Sequence, residues 1–204
     1  MRASSAIRCH NFPCKDVRHE CFRVPGIEMK PEKVRAVMVS EAVPAAARDF
    51  YYAGDESIFD QTTVQAFKDA GVEVSNAHDI LRQGVYLTTA VKCGKTGYAI
   101  QTGTIKECSR LLEKELALFP NVKVLLLMGD VAIKALNEIA RRAGEPRAIP
   151  AGSTYKLRGQ KFQYRGMRVF PSYLQAGRAF FIEKSKRKMI AQDIASAMRV
   201  LRKP

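Results

Sequence analysis

Short apolar runs that alternate with amphipathic segments are the feature that most restricts the fold of this chain. Four runs have the composition and length of buried strands: 34–40, 85–91, 122–128 and 168–170. Four segments have the periodicity of helices with one apolar face: 62–70, 104–119, 131–143 and 182–201. Such alternation is typical of parallel sheets that are covered by helices on both faces. The sequence therefore predicts an α/β fold, a three-layer α/β/α sandwich around a central, mainly parallel four-stranded sheet.

Two regions depart from this alternation. Residues 1–33 hold three cysteines and three prolines without a clear period, and are expected to form an irregular segment packed on a single domain that covers residues 1–204. Residues 154–169 alternate around Gly159, which predicts a hairpin. In open parallel sheets the functional site lies at the carboxyl ends of the strands, so we look for it there.

Positive charge is concentrated in the last third of the chain. The formal net charge is +14, and residues 141–204 contribute 16 Lys and Arg against three acids, a net of +13. A field of this sign attracts polyanions, of which nucleic acid is the commonest large one. A surface that is merely solvated is the alternative.

Several function classes find no support in the sequence. Residues 94–96 (Gly-Lys-Thr) lack the first glycine of a phosphate-binding loop, because that position is Thr89. No apolar run reaches the ~18 residues that a membrane helix needs, and the first eight residues lack the apolar core of a secretory signal. We therefore expect a monomeric cytoplasmic protein that makes no use of a membrane.

The cysteines favour a metal site over disulfides. Cys9, Cys14 and Cys21 crowd into 13 residues beside two histidines, and an odd total of five argues against a complete set of bridges. One interpretation is a local zinc site made of Cys9, Cys14, His19 and Cys21.

Several motifs follow one another in a recognisable order. They are residues 40–44 (Ser-Glu-Ala-Val-Pro), 51–54 (Tyr-Tyr-Ala-Gly), 86–93 (Tyr-Leu-Thr-Thr-Ala-Val-Lys-Cys), 127–129 (Leu-Met-Gly) and 170–174 (Phe-Pro-Ser-Tyr-Leu). This order resembles the iron–sulfur, thermophile-type class of the uracil-DNA glycosylase superfamily. The resemblance implies a protein that binds DNA, flips out an aberrant, deaminated base and hydrolyses its N-glycosidic bond.

The resemblance also implies roles for residues near the first motif. Glu41 matches an acidic residue that orients the attacking water or stabilises the sugar cation, and Asp49 is a second nearby acid. Tyr52 matches an aromatic residue that stacks on the flipped base, a contact worth ~1–3 kcal/mol. The alternatives are a carboxylate that caps the loop and a ring that packs within it.

Two positions depart from the family pattern. Thr89 stands where the family has the asparagine that reads the uracil edge, and Phe170 where it has the histidine that stabilises the departing base. Loss of one such donor typically costs ~10²–10³ in rate. A non-catalytic nucleic-acid-binding module on the same fold is therefore the alternative function, and a small-molecule nucleoside enzyme is a third.

The last motif and the basic run after it are expected to contact nucleic acid, DNA first. The candidates are Pro171, Ser172, Tyr173, Arg178, Lys184, Lys186 and Arg187.

For the metal, the resemblance implies a 4Fe-4S cluster on four cysteine thiolates, with zinc as the alternative. The assigned ligands are Cys9, Cys14, Cys93 and Cys108, and Cys21 is the rival for either of the first two.

Overall fold

A computed structural model describes residues 1–54 and 56–202. In this part of the chain the strands form a single six-stranded sheet with the order β1-β3-β2-β4-β6-β5. The strands are β1 (Val17–Arg18), β2 (Ala36–Val43), β3 (Val85–Lys95), β4 (Val124–Met128), β5 (Phe162–Tyr164) and β6 (Met167–Ser172). The α-helices are α1 (Ala3–Ala6), α2 (Ile58–Asp69), α3 (Ala77–Arg82), α4 (Thr102–Leu116), α5 (Asp130–Arg142), α6 (Thr154–Leu157), α7 (Ala179–Ile182) and α8 (Lys184–Arg202).

The predicted parallel core is confirmed, but the sheet is wider than the predicted four strands. Strands β3, β2, β4 and β6 run parallel, and β1 and β5 add an antiparallel strand at each edge. The predicted hairpin turns at Arg165 and Gly166 rather than at Gly159, and both turn residues have positive φ angles. That geometry is the one that favours two-residue hairpin loops.

Helices cover both faces of the sheet, as predicted. Helices α4 and α5 pack on one face, where Leu112 and Leu136 are fully buried, and α2, α3 and α8 pack on the other, around Phe67 and Ile194. Burial of such side chains contributes roughly 25 cal/mol per Å² of apolar surface, so the two layers fix the sheet between them. Among the described residues, no helix has both the length and the apolar character to cross a membrane.

A register shift occurs at the end of the two central strands, next to the functional region. Ala42 pairs with Val91, whereas the next residue, Val43, pairs with Gly94. Strand β3 thus carries two extra residues, Lys92 and Cys93, opposite a single peptide of β2. Bulges of this kind redirect side chains and are common beside functional sites.

Candidate functional site

The carboxylate of Glu41 is held against the first turn of α5. Gly129 precedes this helix with φ +99° and ψ 166°, a combination that is essentially restricted to glycine. A Cβ atom at Gly129 would lie 2.6 Å from Glu41 Oε1, so the glycine also provides the space that the carboxylate occupies. Helix N-termini favour negative charge, so this position suits a carboxylate.

Lys95 is the cationic neighbour of Glu41. Its Nζ lies 3.7 Å from Glu41 Oε2, and the two side chains are 30% and 17% exposed. The same ammonium lies 5.6 Å from the ring centroid of Tyr98, which is 99% exposed. The ion pair thus stands between the end of the sheet and an aromatic side chain in solvent.

Glu41 and Lys95 both line a cavity of about 310 Å³ at the carboxyl ends of the strands, here called the sheet-end cavity. Its walls are residues 41–45, Phe59, Lys95, Gly97, Leu174 and Ala176. The first and last motifs of the sequence therefore meet across one opening, as their place at strand ends predicts. Small-molecule sites begin at about this volume, which suits a single small ring system.

A buried polar network ties the two walls of this cavity together. The side chain of Gln175 is fully buried and donates hydrogen bonds to Tyr51 Oη (2.8 Å) and Ser40 Oγ (3.0 Å). The hydroxyl groups of Ser40 and Tyr51 share a hydrogen bond of 2.6 Å, and burial raises the pKa of Tyr51 to about 12. Gln175 therefore fixes the loop of the last motif to the residue that precedes Glu41.

The other two candidates from the first loop lie outside the described lining of the cavity. Asp49 ends a 3-10 helix, Ala47–Asp49, and is half-buried. Tyr52 accepts a hydrogen bond of 3.2 Å from the Leu87 N–H at the edge of β3, and its ring packs against His78. The contacts of Tyr52 are those of loop packing, and its role as a stacking residue stays a prediction.

Thr89 and Phe170 are both interior residues. Thr89 lies in β3 opposite Ser40, and its hydroxyl is buried without a hydrogen-bond partner in the described part of the chain. Phe170 lies in β6 opposite Leu126, is 6% exposed and packs in the core, with the Arg168 guanidinium 4.8 Å from its ring centroid. A hydrophobic ring in this position extends the core.

The predicted nucleic-acid contacts divide into buried and exposed groups. Strand β6 continues through Pro171 and Ser172, past the predicted end at Phe170. Ser172 is fully buried and donates a hydrogen bond of 2.6 Å to Asp193, which leaves no face of its hydroxyl for a phosphate. Tyr173 is half-buried, with its ring centroid 5.6 Å from Lys186 Nζ, and the exposed part of the motif begins at Leu174.

The basic residues differ in how free they are to meet a phosphate. Arg178 and Lys184 are exposed around the short helix α7. Lys186 donates a hydrogen bond of 2.6 Å to Glu183, and Arg187 donates two to Asp69, which joins α8 to α2. Ion pairing therefore already uses part of the charge of Arg187 within the protein.

Four of the five cysteines line a second cavity, also of about 310 Å³, here called the cysteine cavity. They are Cys9, Cys14, Cys93 and Cys108, the four predicted ligands. Cys21 is directed elsewhere, because its thiol donates to the carbonyl group of Ala45 at 3.4 Å. Burial raises the pKa of Cys93 to about 12 and that of Cys108 to about 11, and the neighbouring thiols contribute to both shifts.

The four thiols of this cavity are donors that a 4Fe-4S cluster or a zinc ion can take, and His19 Nδ1 lies 3.6 Å from Cys93 Sγ. A mononuclear zinc site brings its sulfur ligands within ~2.3 Å of one point. Within residues 1–54 and 56–202 no three His, Cys, Asp or Glu side chains converge in that way. A four-iron cluster takes four cysteine thiolates, and four cysteines line this cavity.

Lys92, the other extra residue of β3, forms a buried ion pair with α4. Its ammonium bonds to Glu115 on α4, and both side chains have zero exposure. Thr88 and Tyr86 also donate hydrogen bonds to Glu115, at 3.0 Å and 2.8 Å. This network fixes the end of β3 to α4 on the side that carries Cys108.

Fold and site together define an α/β protein with a charged cavity where parallel strands end, closed by motif loops. The model of the uracil DNA glycosylase superfamily matches residues 28–195, and the chain belongs to that superfamily. Among curated proteins, it is 31% identical over 102 residues to a type-5 uracil-DNA glycosylase of Thermus thermophilus. The match covers 49% of this chain and 46% of that relative, so less than half of either protein is compared.

The comparison confirms the resemblance at the level of the superfamily, and the iron–sulfur class stays a prediction.

Two side chains of the site were absent from the predicted set, Lys95 and Gln175. For Lys95 the signal was its place two residues after Cys93, at the end of a strand. For Gln175 the signal was weak, because glutamine is mostly a surface residue and its inward direction depends on packing.

Proposed function

We propose that the protein binds DNA and hydrolyses the N-glycosidic bond of an aberrant, deaminated base that is flipped into the sheet-end cavity. The observation that carries this proposal is the position of Glu41, a carboxylate at the cavity wall that lies beside the N-terminus of α5 and 3.7 Å from the ammonium of Lys95. Membership of the superfamily supports the reaction class.

Glu41 would act on the sugar side of the bond. As the carbon–nitrogen bond lengthens, positive charge develops on the sugar and negative charge on the base. A carboxylate at the cavity wall stabilises the positive charge and can accept a proton from the attacking water, a contribution of typically 10²–10⁴ in rate. The hydrogen bond from Gln175 to Ser40 holds the opposite wall of the cavity in a fixed position relative to Glu41.

The exposed rim of the cavity supplies the DNA contacts in this proposal. Tyr98 and Tyr173 each lie beside a lysine, and Leu174 is 36% exposed at the edge of the opening. Aromatic rings can stack on unpaired bases whatever their identity, while Arg178 and Lys184 can contact flanking phosphates. This arrangement places base contacts near the cavity and charge around it.

We also propose that Cys9, Cys14, Cys93 and Cys108 hold a 4Fe-4S cluster with a structural role. It would join the N-terminal segment to β3 and α4, the elements that supply its ligands. Iron and sulfide analysis after anaerobic purification tests this, and zinc without sulfide would reject the cluster.

A cleavage assay tests the glycosylase proposal. Oligonucleotides that carry uracil, hypoxanthine or xanthine are incubated with the protein, and abasic sites are revealed by alkali. We expect strand cleavage with at least one base, and a loss of about 10²-fold or more in Glu41→Gln. Glu73→Gln, which removes an exposed acid distant from the cavity lining, is the matched control, and Asp49→Asn determines whether the second acid takes part.

The non-catalytic module remains the second candidate, because neither Thr89 nor Phe170 offers an exposed donor at the positions where the family has one. It predicts binding with a steep salt dependence and no abasic sites for any of the three bases.

A further inference from the structure

We infer that Lys95 is a second catalytic residue, whose ammonium stabilises the base as it departs with the electrons of the glycosidic bond. This inference rests on the proposed function and assigns the half of the reaction that Glu41 does not serve. It starts from the geometry of the ion pair within the sheet-end cavity.

The charges at the cavity wall match the charges that the reaction creates. Lys95 Nζ and Glu41 Oε2 lie 3.7 Å apart, and both side chains line the same cavity. Cleavage of the bond produces a cationic sugar carbon and an anionic base nitrogen, two charges separated by a stretched bond. A nucleotide that enters with its sugar toward Glu41 and its base toward Lys95 places each developing charge beside its opposite.

The surroundings of Lys95 support this direction. Among the described residues that line the cavity, Lys95 is the one cation. The Lys95 side chain is 30% exposed, and the Tyr98 ring centroid lies 5.6 Å from its ammonium. A cation at a partly enclosed site acts more strongly than one in water, because screening is weaker there.

The reaction balances with these groups alone. The carbon–nitrogen bond breaks with both electrons on the base, which leaves as an anion paired with the Lys95 ammonium. Water adds to the sugar carbon and its proton passes to Glu41. The base then takes a proton from solvent, Glu41 returns its proton to solvent, and Lys95 remains protonated throughout.

The test compares leaving groups. Single-turnover excision is measured for oligonucleotides that carry uracil or 5-fluorouracil, whose anion is more stable and needs less help from the enzyme. We expect Lys95→Gln to slow uracil excision by about 10²-fold or more, in the range typical for one lost stabilising donor. Excision of 5-fluorouracil should fall by a clearly smaller factor, and Lys95→Arg should restore part of the rate.

Controls separate this role from binding and from positioning. Lys161→Gln removes an equal charge beside β5, at the opposite edge of the sheet, and should leave both rates unchanged. Affinity for an uncleavable 2′-fluoro substrate should be the same in Lys95→Gln as in the native protein. If Lys95 only positioned Glu41, its loss would slow both bases by the same factor and have no further effect in Glu41→Gln.

Two results would overturn the role of Lys95 and leave the proposed function intact. They are an equal slowing of both excision rates in Lys95→Gln, or a native rate in that variant. If the native protein releases none of uracil, 5-fluorouracil, hypoxanthine and xanthine, the proposed function fails together with the role of Lys95. The rate of the native protein therefore shows which of the two claims is at fault.

Discussion

The two cavities have the same volume, about 310 Å³, yet differ in the reactive groups that line them. The cysteine cavity holds four thiols among histidines and other polar side chains, and the N-terminal segment supplies two of its four cysteines. The sheet-end cavity presents an ion pair to solvent and is bounded by motif loops. Cys93 faces the first and Lys95 the second, although only Gly94 separates them in the chain.

The difference shows how one strand end can serve two purposes. The two-residue insertion in β3 buries Lys92 against Glu115 and directs Cys93 to the other cysteines, and the strand then resumes its pairing at Gly94. Even Gly94 is constrained, because a Cβ there would lie 2.7 Å from the Cβ of Cys21. Structural support and chemistry are thus adjacent in sequence, because neighbouring residues at the end of β3 line different cavities.

The sharpest test of the comparison is a pair of cysteine variants. Cys108→Ser removes a proposed ligand, and we expect it to lose all stoichiometric iron together with thermal stability. Cys21→Ser changes a buried thiol outside the cysteine cavity and should keep both. Iron analysis and thermal unfolding measure the two effects, and full iron content in Cys108→Ser would show that another residue is the ligand.

Loss of the buried ion pair should destabilise the fold where β3 packs on α4. Lys92→Met leaves Glu115 buried without its cation, and breaking such a pair typically costs ~3–5 kcal/mol. Urea unfolding measures the change in the free energy of unfolding, with Lys106→Met on the exposed face of α4 as control. A change in Lys92→Met no larger than in the control would mean that the pair is not needed to hold β3 to α4.

Alanine variants of two glycines distinguish the effect of backbone strain on stability from the effect of a displaced Glu41 on excision. Gly129→Ala should lower stability by ~1–3 kcal/mol because of its backbone conformation and should displace Glu41, so that excision falls while iron content stays unchanged. Gly144 ends the same helix with φ +70° and has open space where its Cβ would lie. Gly144→Ala should therefore lower stability but not excision, and equal excision rates in both variants would contradict the proposed place of Glu41.

The smallest expected effect concerns the ion pair that joins α2 and α8. Hydrogen bonds from Arg187 lower the pKa of Asp69, so the stability it contributes is present at neutral pH and is lost as the pH falls through this lowered pKa. Asp69→Asn should cost at most about 1 kcal/mol at neutral pH, since the pair is partly exposed. The unfolding curves of the native protein and of Asp69→Asn should differ at neutral pH and coincide at acidic pH. A difference that persists in acid would assign the effect to packing.

Periodicity predicted the main elements closely. The segment 131–143 was predicted as a helix and α5 covers Asp130–Arg142, while β4 covers Val124–Met128 within the predicted 122–128. Helix α3 and strand β1 were not predicted, because six and two residues are too short to show a period. Strand β1 exists only through its pairing with the end of β3, a contact between residues that are distant in sequence.

The candidate site was predicted in part. Motif order led to Glu41 and to the four cysteines, which the fold brings to two cavities. The same reasoning placed Ser172 at a phosphate, yet its hydroxyl is buried against Asp193. Sequence pattern does not record which side chain at a strand end faces solvent, because that depends on how far the strand continues and on what packs over it.

The sequence by itself determined the alternation of strands and helices, the basic last third and the residue types available for chemistry, since these depend on local periodicity and composition. Only the tertiary structure decided that Lys95 faces Glu41, that Gln175 turns inward and that Cys21 lies outside the cysteine cavity. These outcomes depend on contacts between distant segments, and on a bulge in β3 that redirects the side chains at the end of the strand.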